Sequence, residues 1–358
     1  TSTQNGEASL AVAAKTAGLP PEKVEVYKML LGGGFGRRGA PQDFVIQGVT
    51  IAKAMRGTPV KMMWSREEDM QHGYYRPASL VRMKAGLDAQ GRLIAMHTRI
   101  ACPSILEYLG IARGAANIDF TAVRTLSDMP YAVPHQQVDY AKRNGHVPVG
   151  FWRAPGQQNG YYRECFIDEL AAAAGRDPVD FRLAMLPEKN KDRLVLEAVA
   201  KAAGWGTPLP QGVHRGVAVV NGFGSYAAMV AEVSVNAKGE LKVQRIVVAI
   251  DSGYVVNPDS CRAQAESNVV YGLGSILYQE NNVKDGRIAE SNFHDFRLPQ
   301  ISEMPKVETV LVPTGGFWGG HGEPGILPLA PAICNAIFAA TGKRIRSLPL
   351  AHHDLRRT

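Results

Sequence analysis

Residues 227–250 read AAMVAEVSVN, AKGE, LKVQRIVVAI: an apolar-rich run, the turn Ala237-Lys238-Gly239-Glu240, and a second apolar-rich run. Two β-prone runs around a short glycine-bearing turn predict an antiparallel hairpin. The same pattern recurs at Leu80–Leu87 and Leu93–Ile100 around Asp88-Ala89-Gln90-Gly91. Between and after these hairpins the apolar spacing becomes helical. Helices are expected over 8–17, 43–55, 159–174, 194–203, 261–277 and 331–340, several closed by a glycine (Gly18, Gly175, Gly204, Gly342). A further short helix runs from Asp177-Pro178 to Leu186, with Asp177 as N-cap and Pro178 in the first turn. Lys23–Leu31 alternates as a strand does, Val60–Trp64 reads as a short strand, and strands bracket Lys284-Asp285-Gly286. Hairpins mixed among helices predict an α+β fold, with mixed sheets covered by helices. The Gly- and Pro-rich stretch 204–216 suggests a first region over 1–204 and a second over 205–358.

Composition narrows the function. The 358 residues are 45% hydrophobic and carry a formal net charge of +7 spread along the chain. No basic stripe interleaves with aromatics, so no nucleic-acid partner is expected. No apolar run reaches roughly 18 residues, so no membrane span is expected. Cys102, Cys165, Cys261 and Cys334 lie far apart without a CxxC pair, which argues against a zinc ribbon, a Cys-held iron–sulfur cluster or a disulfide framework within the chain. No set of side chains has the spacing of a metal site. The opening Thr1-Ser2-Thr3-Gln4, without an initiator methionine, suggests a processed or truncated N-terminus.

Three stretches could carry chemistry. Gly32-Gly33-Gly34-Phe35-Gly36-Arg37-Arg38 lets the backbone approach a ligand and can turn N–H groups onto an anion, although it has neither GxGxxG spacing nor the GK[ST] of a phosphate loop. A tight structural turn explains it equally well. Gly150-Phe151-Trp152-Arg153-Ala154-Pro155-Gly156 holds an arginine beside two aromatics, either to stabilise negative charge or simply to stack. His321-Gly322-Glu323-Pro324-Gly325-Ile326-Leu327 places a carboxylate among apolar neighbours before a helix. Desolvation there would make Glu323 a usable general base, while the bland alternative is a carboxylate bonded to N–H groups at a helix start. Asp251 and Asn257 read as turn residues bonding nearby backbone.

Taken in order, STQN (2–5), GGGFG (32–36), Trp152-Arg153-x-x-Gly156, DxGxxxNP (251–258), QxE (264–266), GLG (272–274) and GEPG (322–325) resemble the molybdenum-binding part of the xanthine oxidase and aldehyde oxidoreductase family, across essentially the whole chain. The finer match is to the isoquinoline 1-oxidoreductase β-subunit branch, of which this chain resembles the C-terminal half. The resemblance implies molybdenum held by a molybdopterin, in its cytosine dinucleotide form. It implies Gly33, Gly34, Phe35, Gly36 and Gly322 at the cofactor, and Glu323 (as base) and Arg153 as catalytic residues. The reaction implied is oxidation of an N-heterocyclic aromatic or an aldehyde with water as oxygen source. Electrons would pass to 2Fe-2S clusters on a small partner subunit, with a cytochrome c as an onward acceptor. Another chain would carry the N-terminal half, and the compartment implied is the periplasm, with the cytoplasm as the alternative. Two departures stand out: Ser267 where glycine is expected after QxE, and Tyr271 where glutamine is usual before GLG.

Two other readings stay open at this level. A free amino group beside the Thr1 hydroxyl is the arrangement of a self-cleaved N-terminal-nucleophile amide hydrolase, which would use the same fold without molybdenum. A non-catalytic assembly subunit would show no substrate-dependent dye reduction.

Overall fold

The structure, a computed structural model, describes residues 1–111, 118–154 and 156–357. Its centre is a four-stranded sheet, order β4 (Val213–Gly222), β5 (Ser225–Val235), β6 (Leu241–Asp251), β9 (Lys306–Leu311). The first three strands form an antiparallel meander, and β9 joins β6 in parallel. The predicted hairpin at 227–250 is its β5–β6 pair.

Alternate side chains of these strands point to opposite faces, and both faces are buried. On one, Met229, Ala231, Ile246 and Val248 meet α9 (Pro258–Leu277) and α10 (Leu329–Thr341). On the other, Val217, Val230 and Val247 meet α6 (Gln157–Ala173), α7 (Pro178–Leu183) and α8 (Lys191–Ala203). Helices before Gly204 therefore share one core with strands after it. Gly216 shows how close the layers are: a Cβ there would lie 2.1 Å from the Ala336 nitrogen and 2.3 Å from the Ala332 oxygen of α10. The segment Pro324–Thr341 is long and apolar enough to cross a membrane, which the sequence reading overlooked. It is 89% buried, because α10 fills the space over the sheet.

A smaller sheet, β1 (Leu80–Leu87), β2 (Leu93–Cys102) and β3 (His135–Lys142), contains the other predicted hairpin, with β3 parallel to β2. Short helices α4 (Ile105–Tyr108) and α5 (Phe120–Val123) follow β2. A two-stranded ribbon, β7 (Val283–Lys284) and β8 (Arg287–Ile288), forms around the predicted turn. At the N-terminal end α1 (Gly6–Ala17) and α2 (Asp43–Ala54) pack through Ala13, Phe44 and Val45, and α3 (Arg66–Gln71) follows. Asn5 caps α1 by accepting from the Ala8 N–H at 3.0 Å, and Asp177 caps α7 as expected.

Two predicted strands do not form. Residues 24–31 are extended and bond to the first two residues without forming a ladder: the Thr1 ammonium donates to the Tyr27 carbonyl at 2.9 Å, the Met29 N–H to the Thr1 carbonyl at 3.0 Å, and the Ser2 hydroxyl to the Leu30 carbonyl at 3.3 Å. Residues 60–64 likewise lack a ladder. Alternation selects extended backbone, but a strand also needs a neighbour, and none lies beside these segments among the described residues.

An ionic network ties α6 and α7 to β4. The Glu164 carboxylate accepts from Arg163 Nε (3.0 Å), Arg182 Nε (2.9 Å), the Tyr131 hydroxyl (3.0 Å) and the Val219 N–H (3.2 Å); Arg163, Glu164 and Arg182 have no exposed surface. Arg163 donates onward to the Thr125 and Val219 carbonyls. Glu164→Gln leaves buried Arg163 without its counter-charge and buried Arg182 with only Asp168, 3.8 Å away. It is expected to lower unfolding stability by about 3–5 kcal/mol in urea titrations, and a loss below about 1 kcal/mol would contradict the role given to this carboxylate.

Candidate active site

A cavity of about 850 Å³ is lined by Gly32–Gly36, Phe120, Arg124, Phe151, Arg153, Phe223, Gln264, Gly322 and Glu323, among others. Segments separated by almost three hundred residues thus meet in one place. Every residue that the sequence analysis put at the catalytic or cofactor positions (Gly33, Gly34, Phe35, Gly36, Arg153, Gly322, Glu323) lines this space. Pro155, in the predicted turn after Arg153, lies outside the described residues.

The glycine turn is shaped by close approach. Gly36 has φ +82°, and a Cβ there would sit 2.2 Å from the Phe151 carbonyl oxygen, so the turn rests directly on the Phe151–Trp152 backbone. Phe35 itself holds φ +51°, a left-handed conformation that costs energy outside glycine. The N–H groups of Gly32 through Gly36 donate to no acceptor among the described residues. They line the cavity wall as unspent donors.

Glu323 precedes a single helical turn, Pro324–Ile326, that leads into α10, and the Ile326 N–H donates to its carbonyl at 3.0 Å. Its half-buried carboxylate makes no hydrogen bond or ion pair among the described residues. It is therefore not the N–H-bonded helix-start carboxylate of the bland reading. Burial pushes its pKa up, and the positive charges of Arg153 and Arg124 oppose that rise. Arg153 is held by acceptors on two elements: its Nε donates to the Gly322 carbonyl at 3.1 Å, Nη1 to Ser267 Oγ at 3.0 Å, and Nη2 to Asn268 Oδ1 at 3.0 Å and Gln264 Oε1 at 3.3 Å. Nη2 also donates to the Gly322 carbonyl.

Arg124, Phe120 and Phe223 were not picked out from the sequence. Arg124 follows α5, its guanidinium stands 5.1 Å from the Phe223 ring centroid, and its carbonyl accepts from buried Asn159 at 2.8 Å. Thr125 (φ +74°) and Phe223 (φ +59°) are left-handed beside it. Strained backbone gathered at a cavity is a signal of function that local sequence motifs do not carry.

Other expectations resolve differently. Phe317 and Trp318, close to Glu323 in sequence, are 73% and 60% exposed and do not line the cavity; Trp318 stacks on Tyr254 instead. Asp251 is buried and accepts from the Gly253 N–H at 2.8 Å, while Asn257 caps α9 through the Ser260 N–H at 2.9 Å. His321 bonds Ser252 Oγ and the Cys261 carbonyl. The Thr1 ammonium is spent on Tyr27, and Thr1 does not line this cavity, so nothing here supports an N-terminal-nucleophile hydrolase.

Two family models, each described as a molybdopterin cofactor-binding domain, match residues 1–186 and 170–305. The isoquinoline 1-oxidoreductase subunit beta of Brevundimonas diminuta is 33% identical over 345 residues, covering 94% of this chain and 44% of that protein. A membrane-bound aldehyde dehydrogenase [pyrroloquinoline-quinone] of Gluconacetobacter polyoxogenes is 28% identical, covering 96% of this chain and 48% of that protein. The chain thus spans less than half the length of these relatives. The crystal structure of quinoline 2-oxidoreductase from Pseudomonas putida 86 superposes with a TM-score of 0.84 at 13% identity, over 98% of this chain and 70% of that one. At that identity the likeness concerns the fold.

The unpaired carboxylate has a consequence for stability. Burial makes the folded chain hold the Glu323 proton more tightly than the unfolded chain does. The destabilisation is absent below the unfolded titration, near about pH 4.3, and complete above the folded one. Glu323→Gln is expected to raise the thermal midpoint at about pH 7 and to leave it unchanged at about pH 3, and an equal effect at both pH values would contradict an ionised, unpaired carboxylate.

Proposed function

This chain belongs to the molybdopterin cofactor-binding family, as part of a molybdenum-binding subunit of the xanthine oxidase type, and on that premise we propose that its cavity oxidises an electron-poor carbon with Glu323 as general base. The observation that carries the reading is a half-buried carboxylate with no partner among the described residues, lining one cavity together with a glycine turn whose N–H groups are unspent.

The residues present fit the cofactor. The N–H groups of Gly32 to Gly36 suit the anionic oxygens of a pterin cofactor, and Phe35, Gly36 and Gly322 would border it. When bound, the molybdenum centre supplies a two-electron oxidant and an activated, water-derived oxygen nucleophile. Glu323, on the cavity wall, would take up the proton released as the substrate is oxidised. Burial makes Glu323 a stronger base than an exposed glutamate, and Arg153 and Arg124 stabilise the carboxylate form that must be present before the step. Phe35, Phe120, Phe151 and Phe223 give the cavity an aromatic, apolar lining. These walls favour an N-heterocyclic aromatic, with an aldehyde as the other substrate that offers the required carbon. The relatives are named for both kinds of substrate.

In this reading the cofactor is the cytosine dinucleotide form, and the part of the subunit that the relatives carry beyond the matched region completes its site. A 2Fe-2S subunit takes the electrons, a cytochrome c accepts them onward, and the complex works in the periplasm. Purified as that complex, the protein is expected to contain molybdenum and pterin by metal analysis and fluorescence and to reduce a dye in the presence of substrate. Glu323→Gln at equal molybdenum content is expected to lower kcat/KM by about 10²–10⁴-fold. Full turnover by E323Q would remove Glu323 as the base, and turnover without molybdenum would remove the whole assignment.

A further inference from the structure

Arg153 has nearly exhausted its hydrogen-bonding capacity before any ligand arrives. A guanidinium offers five N–H groups in a fixed plane. Nε and Nη2 bond the Gly322 carbonyl, Nη2 also reaches Asn268 and Gln264, and Nη1 donates to Ser267. At most one N–H, on Nη1, remains. A substrate carboxylate could not be gripped by such a fork without breaking these bonds.

The groups that hold Arg153 come chiefly from one surface of α9. Ser267 and Asn268 supply acceptors, and Tyr271, one turn later, lies under the guanidinium at 5.4 Å from its ring centroid. The Tyr271 ring is stacked between Phe35 (5.2 Å, 29°) and Trp152 (5.0 Å, 27°). It thereby joins the glycine turn to the Trp152–Arg153 turn. Two of these three positions are those where the family resemblance expects other residues, glycine at 267 and glutamine at 271. Neither glycine nor glutamine could supply the hydroxyl acceptor or the aromatic floor.

We propose that Ser267, Asn268 and Tyr271 are positioning residues that lock Arg153 onto the Gly322 carbonyl and so fix where the neighbouring Glu323 carboxylate points. Arg153 then acts on the reaction through the base, not by contacting substrate. The proposal rests on the reading of Glu323 as the base. Around that carboxylate the charged groups are Arg153 and Arg124, with Tyr271 behind Arg153 and His321 engaged by Ser252 and the Cys261 carbonyl.

The test uses the intact complex carrying Tyr271→Ala, Tyr271→Phe or Ser267→Ala, with rates normalised to molybdenum. A loosened Arg153 no longer holds down the proton affinity of Glu323. The acid limb of the pH–rate profile should therefore move to higher pH in Tyr271→Ala and Ser267→Ala. In both, kcat should fall by about 10-fold or more while KM stays within about 2-fold, as expected for a misplaced base. Tyr271→Phe, which keeps the ring, should restore both values relative to Tyr271→Ala. A raised KM with unchanged kcat and acid limb would overturn the proposal, because Arg153 would then be binding substrate. A readout without turnover comes from infrared titration of the Glu323 carboxyl, taken as the difference from E323Q in cofactor-free protein. Its midpoint should rise in Tyr271→Ala, and an unmoved midpoint would also overturn the proposal. Active wild-type complex lacking molybdenum would defeat the functional reading alone and leave the infrared result to decide the cradle.

Discussion

A carboxylate cut off from water, Glu164, stands between two guanidinium groups equally cut off, and the geometry of the site depends on it. Taking three charges out of water costs several kcal/mol per ion and is tolerated only if each is paired and every remaining donor satisfied. Here the pairing is dense: Arg163, Arg182, Tyr131 and the Val219 N–H all converge on Glu164. The result is directional. It sets the rotation of α6 on β4, and α6 begins directly after the turn that carries Arg153. Through Arg163 to the Thr125 carbonyl and Asn159 to the Arg124 carbonyl, the same helix holds the loop that presents Arg124. Two of the cavity's cations are therefore placed by one buried network away from the cavity itself.

Within the cavity the balance is reversed. Glu323 is left without a partner among the described residues, left-handed Phe35 and Phe223 line the same space, and left-handed Thr125 follows Arg124. Each of these features weakens the fold locally and serves a site: an unpaired carboxylate can take a proton, and a strained turn can expose N–H groups. The layered core, where α10 lies directly over Gly216, is rigid enough to carry this cost. Arg153 mediates between the two regimes, since its own charge is satisfied by α9 and its effect on Glu323 is electrostatic and positional.

Much of this was legible in the sequence. The β1–β2 and β5–β6 hairpins were announced by their turns, α1 by its closing Gly18, α7 by its Asp177 cap, and the cavity by three glycine-bearing motifs whose order matches one family. What escaped has physical causes. β4 contains a continuous apolar run because both its faces are buried, and such a run has no period to read. β3, HQQVDYAK, is polar and exists because β2 lies beside it. Residues 24–31 and 60–64 show the converse, a strand-like pattern without a neighbouring strand. Arg124 sits in no recognisable motif and becomes a site residue only when α5 folds against Asn159. Phe317 and Trp318 are near Glu323 in sequence, but their chain reverses through Gly315 and Gly316, both at positive φ, and carries them outward.

The most direct measurement is the location of molybdenum in the cofactor-loaded complex by anomalous X-ray scattering. The metal should lie inside the cavity between the Gly32–Gly36 turn and the Glu323 carboxylate. A metal site elsewhere, with Glu323 facing empty solvent or bonded to protein, would contradict the account.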